Sequence, residues 1–216
     1  MGRKSPVIGV GINDYHEPIS FIDKEGNRKN LPAYNHWRNI FIRCYAAGKR
    51  ELPTYEGCTI CEEWKYFSKF KTWFDTQTYE EGYHLDKDLL VYQNKIYSPN
   101  TCILLPQTIN KFMTKRQNGR GLYPLGVSYK HESEDMINKL HNCYSASTSG
   151  GSNRKSKWLG AFDNVKDAHK AWQLAKIERA EVLKKEQTDI RIIAGLQRII
   201  NKIQYDYDNN LETIDF

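Results

Sequence analysis

Apolar and polar positions follow three successive rhythms along this chain, and each predicts its own kind of element. From Val7 to Ile12 the run is β-prone, and Glu25-Gly26-Asn27 marks a turn. Tyr34, Trp37, Ile40, Phe41 and Tyr45 then recur at helical spacing. Between Glu62 and Asp75 the pattern returns with Trp64, Phe67, Phe70, Trp73 and Phe74, so two helices are expected to lay aromatic faces on a core. Short extended pieces follow, His84 to Val91 and Cys102 to Leu105, joined by the turn-rich Tyr92-Gln93-Asn94-Lys95 and Tyr97-Ser98-Pro99-Asn100. With a helix starting near Gln107, this middle zone predicts a hairpin followed by a helix.

Gly119-Arg120-Gly121 and Pro124 punctuate the chain and mark the expected domain boundary. Beyond it, Gly126 to Lys130, Cys143 to Ala146 and Lys157 to Phe162 read as three strands. Asp163 or Asn164 caps a following helix, whose Ala168, Ala171, Trp172, Ala175 and Ile177 to Ala180 allow close approach to the sheet. From Asp189 to Gln204 a stripe of Ile192, Ile193, Leu196, Ile199, Ile200 and Ile203 predicts a core or docking helix, with an oligomer seam as the other use of such a stripe. The fold class expected is α+β, divided as 1–118, 119–185 and a docking helix with polar tail over 186–216.

Charge changes this picture. The chain has 216 residues and a net charge of +6. Between Lys111 and Trp158 nine Lys and Arg face three acids, an excess of +6 that equals the charge of the whole chain. A sheet region holding the whole positive excess, interleaved with tyrosines and a tryptophan, is suited to touching a polyanion. No apolar run approaches the roughly 18 residues of a membrane helix, and Met1-Gly2-Arg3-Lys4 runs into Ser5-Pro6 without the apolar stretch of a secretory signal. A cytoplasmic protein with no membrane partner is expected, its five cysteines reduced or metal-bound.

From Tyr123 to about Arg179 the order of Gly-Val, a Tyr-Ser-Ala strand, Trp158-Leu159-Gly160-x-Phe162 and Asp167-Ala168 resembles the apetala-type (ethylene-response-factor-like) DNA-binding domain. The resemblance implies a three-stranded sheet laid in the major groove of double-stranded DNA. It makes Tyr129, Lys130, Tyr144, Ser145, Lys157 and Trp158 candidates for contact; Arg154 and Lys155, in the basic loop before the third strand, join them by charge and not by the resemblance. Independently, a ribbon of strands fits the major groove, and side chains alternate outward along it. Lysines and tyrosines in place of strand arginines favour phosphate contact over guanine reading.

Over most of its length the chain is similar to bacteriophage and bacterial HNH homing endonucleases with an appended apetala-type domain. Trp37, Arg43-Cys44-Tyr45, Cys61-Glu62-Glu63-Trp64, Leu85-Asp86-Lys87-Asp88, Tyr97-Ser98-Pro99-Asn100-Thr101-Cys102 and Gln107 to Asn110 carry that similarity. It implies hydrolysis of DNA phosphodiester bonds in a bacterial host with Mg2+ or Mn2+ and no small-molecule cofactor. Asp86 and Asp88 are then the metal ligands, His84 the candidate base, and Lys87, Asn100 and Asn110 supporting groups. Lys87 stands where the family's base histidine belongs, and Thr101 where its central Asn belongs. A protonated lysine is a poor base and a good phosphate clamp. Strand alternation sets His84, Asp86 and Asp88 on one face and Lys87 on the other.

Cys58-x-x-Cys61 has knuckle spacing, and Cys44 and Cys102 complete a possible structural zinc set, buried free thiols being the alternative. Two functions stand side by side at this point: an HNH-type endonuclease, and an inactive DNA-binding accessory or regulatory phage protein.

Overall fold

The computed structural model describes residues 6–46, 55–114, 122–129, 144–148 and 156–216. Its class is α+β, and it divides into two compact units, residues 1–106 and 107–216. The loop residues Lys130, Arg154 and Lys155 lie outside the described residues, as does Gly119-Arg120-Gly121.

The first unit begins with a tight turn in place of the expected strand over Val7 to Ile12. Val7 bridges back to Gly11, Gly9 adopts φ +74°, and Gly11 lies so close to Phe41 that a Cβ there would meet the ring at 3.0 Å. Glycines at these two positions permit the reversal and the close approach. Strands β1 (Ser20–Ile22) and β2 (Arg28–Asn30) form an antiparallel hairpin. Its turn is fixed by Asp23 Oδ1, which accepts from the Glu25 and Asn27 amides at 3.1 and 2.7 Å. Helix α1 (Pro32–Tyr45) starts on proline, which fits the first helical turn because its missing N–H would have no partner there.

The second aromatic run is not one helix but two pieces. A 3-10 turn, Glu63–Lys65, precedes α2 (Phe67–Asp75), and Tyr66 between them is extended because it bridges Ile12. The Asp14 carboxylate takes the Ser68 amide and hydroxyl at 2.9 and 2.6 Å, fastening the first turn of α2. Trp37, Phe41, Trp64, Phe67 and Phe70 form the core between the helices, and the Trp37 indole N–H donates to the Trp64 carbonyl at 2.7 Å. Two small sheets close the unit. Strand β3 (Thr59–Ile60) runs parallel to β5 (Ile96–Tyr97), and β4 (His84–Asp86) pairs antiparallel with β6 (Ile103–Leu105).

In the second unit, helix α3 (Gln107–Met113) precedes an antiparallel sheet of β7 (Val127–Tyr129), β8 (Tyr144–Thr148) and β9 (Lys157–Phe162), ordered β7-β8-β9. Asn164 caps α4 (Val165–Lys185) by accepting the Asp167 amide at 2.9 Å. Ala168 and Ala146 are fully buried, so the helix lies close on the sheet. Helix α5 (Ile190–Asp208) packs along α4 with Ile192, Leu196, Ile199, Ile200 and Ile203 buried, the stripe expected from the sequence. The segment after α5 is no free polar tail. Thr213 is fully buried: its amide donates to His169 Nε2 at 3.0 Å and its hydroxyl to Asp206 at 2.9 Å. Among the described residues no helix is long and apolar enough to cross a membrane.

Candidate functional site

The hairpin residues come first. Strand β4 is only three residues long, because the chain bends directly after Asp86. The bend has a cause in the side chain: Asp86 Oδ1 accepts the amides of Asp88 and Leu89 at 2.9 and 2.7 Å. Burial pushes the Asp86 carboxyl above the ordinary carboxylate range, and the Leu89 amide opposes that push. Alternation therefore stops at Asp86 and does not extend to Asp88. Instead of pointing to opposite faces, Lys87 and Asp88 meet as an ion pair, Nζ to Oδ1 at 2.6 Å.

Lys87 is 5% exposed and also donates to the Asn94 carbonyl at 2.7 Å. Asn94 positions the loop with every polar atom of its side chain engaged. Its amide donates to the carbonyls of Lys87 and Ile96 at 2.9 and 2.7 Å, and its oxygen accepts the Ile96 amide at 3.0 Å. Sequence reasoning placed Asn94 only in a turn. Thr101 bonds the Ile96 carbonyl at 2.7 Å, tying the far end of the same loop, while Asn100 beside it is exposed. His84 is half-buried opposite Leu105. Asn110 stands half-buried on α3, in the second unit.

His36, absent from the expected set, is the second histidine here. Burial first, then the charges of Arg43 and His84, push its pKa down to about 4. Seven residues on, Arg43 lies two turns along the same face of α1, and its Nη1 donates to the Leu85 carbonyl of β4 at 3.5 Å. That i to i+7 spacing was the signal available in the sequence.

These residues do not fit a divalent cation as arranged. One Asp86 oxygen already serves two amides, and an ammonium sits against Asp88. Among the described residues, no three His, Cys, Asp or Glu side chains form a group that could hold a metal ion. The four described cysteines, Cys44, Cys58, Cys61 and Cys102, are free thiols. Burial pushes Cys44 and Cys102 up to about 12 and raises Cys61, so these sulfurs stay protonated at neutral pH.

The sheet of the second unit sorts its candidates by register. Val127 pairs with Ala146, and Ala146 with Gly160; Tyr129 pairs with Tyr144, and Tyr144 with Phe162. Val127 and Ala146 join Ala168 of α4 in a core against which Tyr144 and Phe162 pack, so this set faces the helix. Tyr129 shares that face, its ring 5.4 Å from the Tyr144 ring. Ser128, Ser145 and Ala161 alternate to the other side, where the Ser128 and Ser145 hydroxyls bond at 2.8 Å. Tyr129 and Tyr144 therefore do not lie in one plate with Ser145 and Trp158.

A bulge decides where Trp158 goes. Between Ala146 and Ser147 the register slips, so that Ser147 opposes Trp158 and Thr148 opposes Lys157. The extra residue, Leu159, reverses the parity of β9 and turns Trp158 to the outer face beside Ser147. Gly160, at φ +138°, supplies the backbone conformation this needs. Trp158 is 65% exposed, and Lys157 is exposed at the start of the strand. The outer face thus carries exposed Ser128 and half-buried Ser147 and Ala161, with Ser145 buried at 9% between them, a small-residue strip from which an indole projects.

Comparison with known protein families, curated proteins and solved structures finds no match to this chain.

Proposed function

We propose that this chain binds double-stranded DNA through the outer face of the β7-β8-β9 sheet, and that the β4-β6 hairpin acts as a folded scaffold. The observation that carries this reading is Trp158. A bulge and a glycine turn its indole to solvent beside a strip of serines, within the stretch that holds a +6 excess of charge. An isolated tryptophan exposed this far forgoes the burial its surface favours, so its position suits a surface that is covered on binding. Serine hydroxyls donate to phosphate oxygens, and small side chains let a backbone approach closely.

The second reading, an HNH-type endonuclease, draws support from the antiparallel pairing of β4 with β6, from the chain order β4, β5, β6, α3, and from His84 on β4. Supercoiled plasmid incubated with the protein at several salt concentrations, with and without Mg2+ or Mn2+, separates the two. The scaffold reading expects retarded, intact plasmid under every metal condition. Metal-dependent nicking, lost in an Asp86→Ala, Asp88→Ala variant, would replace it with the endonuclease.

A further inference from the structure

The loop after β4 holds a buried cation of its own. Lys87 is 5% exposed, with Asp88 Oδ1 at 2.6 Å and the Asn94 carbonyl oxygen at 2.7 Å from its ammonium. Taking an ammonium out of water costs several kcal/mol unless oxygens replace its hydration shell. A carboxylate and a backbone carbonyl do so here, and these are the donors a hard divalent cation selects. The arrangement is reciprocal: the Lys87 ammonium bonds the Asn94 carbonyl, and the Asn94 amide bonds the Lys87 carbonyl at 2.9 Å. Asp86, two residues from Asp88 and 9% exposed, adds a second carboxyl to the same turn.

We propose that Lys87 is the resident cation of this hairpin. Its ammonium gathers the carboxylate and carbonyl oxygens that a divalent metal would otherwise gather, so the first unit keeps its fold without metal. Removing the ammonium leaves Asp86, Asp88 and the Asn94 carbonyl as an oxygen site for a divalent or trivalent ion. This inference stands whether or not the sheet binds DNA, because its readouts involve no nucleic acid.

The test is thermal melting of the full chain in chelator and in millimolar Mn2+, for the native protein and for Lys87→Met and Lys87→Gly. The native midpoint is expected to stay within about 1 °C between the two conditions, since a ligand that does not bind the native state does not shift its melting. Lys87→Met, which keeps the length and drops the charge, is expected to melt roughly 10 °C lower, because it removes the ammonium's bonds to Asp88 and to the buried Asn94 carbonyl that tie the loop together. Lys87→Gly is expected to fall as far in chelator, to regain at least half of the loss on saturation with Mn2+, and to show Tb3+ luminescence that the native protein lacks. Saturable stabilisation of the native protein by Mn2+, or a Lys87→Met midpoint equal to the native one, would overturn the proposal. If Lys87→Gly does not fold in either condition, the native and Lys87→Met measurements decide alone.

Discussion

The β4-β6 hairpin and the β7-β8-β9 sheet both carry side chains suited to nucleic acid, and they use them in opposite ways. In the hairpin, Asp86 and Lys87 are 9% and 5% exposed and bond to the loop that contains them. In the sheet, Trp158 is 65% exposed on a face whose other members are small. Chemistry directed inward fixes a backbone; chemistry directed outward meets a partner. The hairpin groups are buried and bonded within their own loop and the indole is exposed, and that difference in burial and hydrogen bonding separates a scaffold from the interface proposed for the second unit.

The comparison breaks most severely at Gly126. It adopts φ +78°, and a Cβ there would lie 1.8 Å from Trp172 Cδ1. Gly126→Val is expected to cost more than about 4 kcal/mol and to unfold the sheet. Circular dichroism and duplex retention should both report the loss. Retained binding would place the DNA contact outside this sheet.

Asp86→Ala comes next. It leaves the buried Leu89 amide and the part-buried Asp88 amide without their acceptor and is expected to destabilise the first unit by about 3 kcal/mol. Asp86→Asn, which keeps an acceptor, should cost about 1 kcal/mol. Denaturant titration measures both, and duplex affinity of the folded protein is expected to be unchanged in either variant. A stable Asp86→Ala variant would mean that the carboxylate is not committed to the turn.

Acid sharpens the contrast from the same side. His36 has its pKa lowered from 6.5 to about 4 in the folded chain. Between those values the unfolded state takes up a proton that the folded state refuses. Stability contributed above pH 6.5 is thus lost as pH falls toward 4, by about 3 kcal/mol in all. His36→Leu should flatten that part of the stability profile, and an unchanged profile would show that His36 does not drive it.

The smallest expected change is at the proposed interface. Trp158→Ala should weaken duplex binding about tenfold, or about 1.4 kcal/mol, with no fall in melting temperature. Fluorescence anisotropy and a melting curve on one sample check this. A lower melting point would mark Trp158 as a packing residue.

Much of this was legible in the sequence where periodicity met burial. Trp37, Ile40 and Phe41 announced α1, and the isoleucine stripe announced α5, because helical spacing and core packing select the same positions. The early strand was misread because Gly9 reverses the chain through a positive φ and Gly11 closes on Phe41 of α1, a contact no local pattern reveals. Tyr66 broke the second aromatic helix for a similar reason, its partner Ile12 lying far back in the chain. At the candidate sites residue types were legible and directions were not. Alternation assigned Asp88 to the face of Asp86, but a carboxylate accepting two amides ended the strand. A one-residue bulge likewise separated Trp158 from Tyr129 and Tyr144, and parity along a strand cannot be read past a bulge that the sequence does not announce.

The central claim is that the sheet of the second unit meets duplex DNA through phosphate contacts assisted by an exposed indole. Its most direct measurement is the affinity of the full chain for a labelled duplex across a series of salt concentrations. The account predicts that log affinity falls linearly with log salt, with a slope of about 0.9 for each phosphate neutralised, and that Trp158→Ala lowers the whole line without changing its slope. Affinity that is independent of salt, or a duplex that is not bound at low salt, would contradict it.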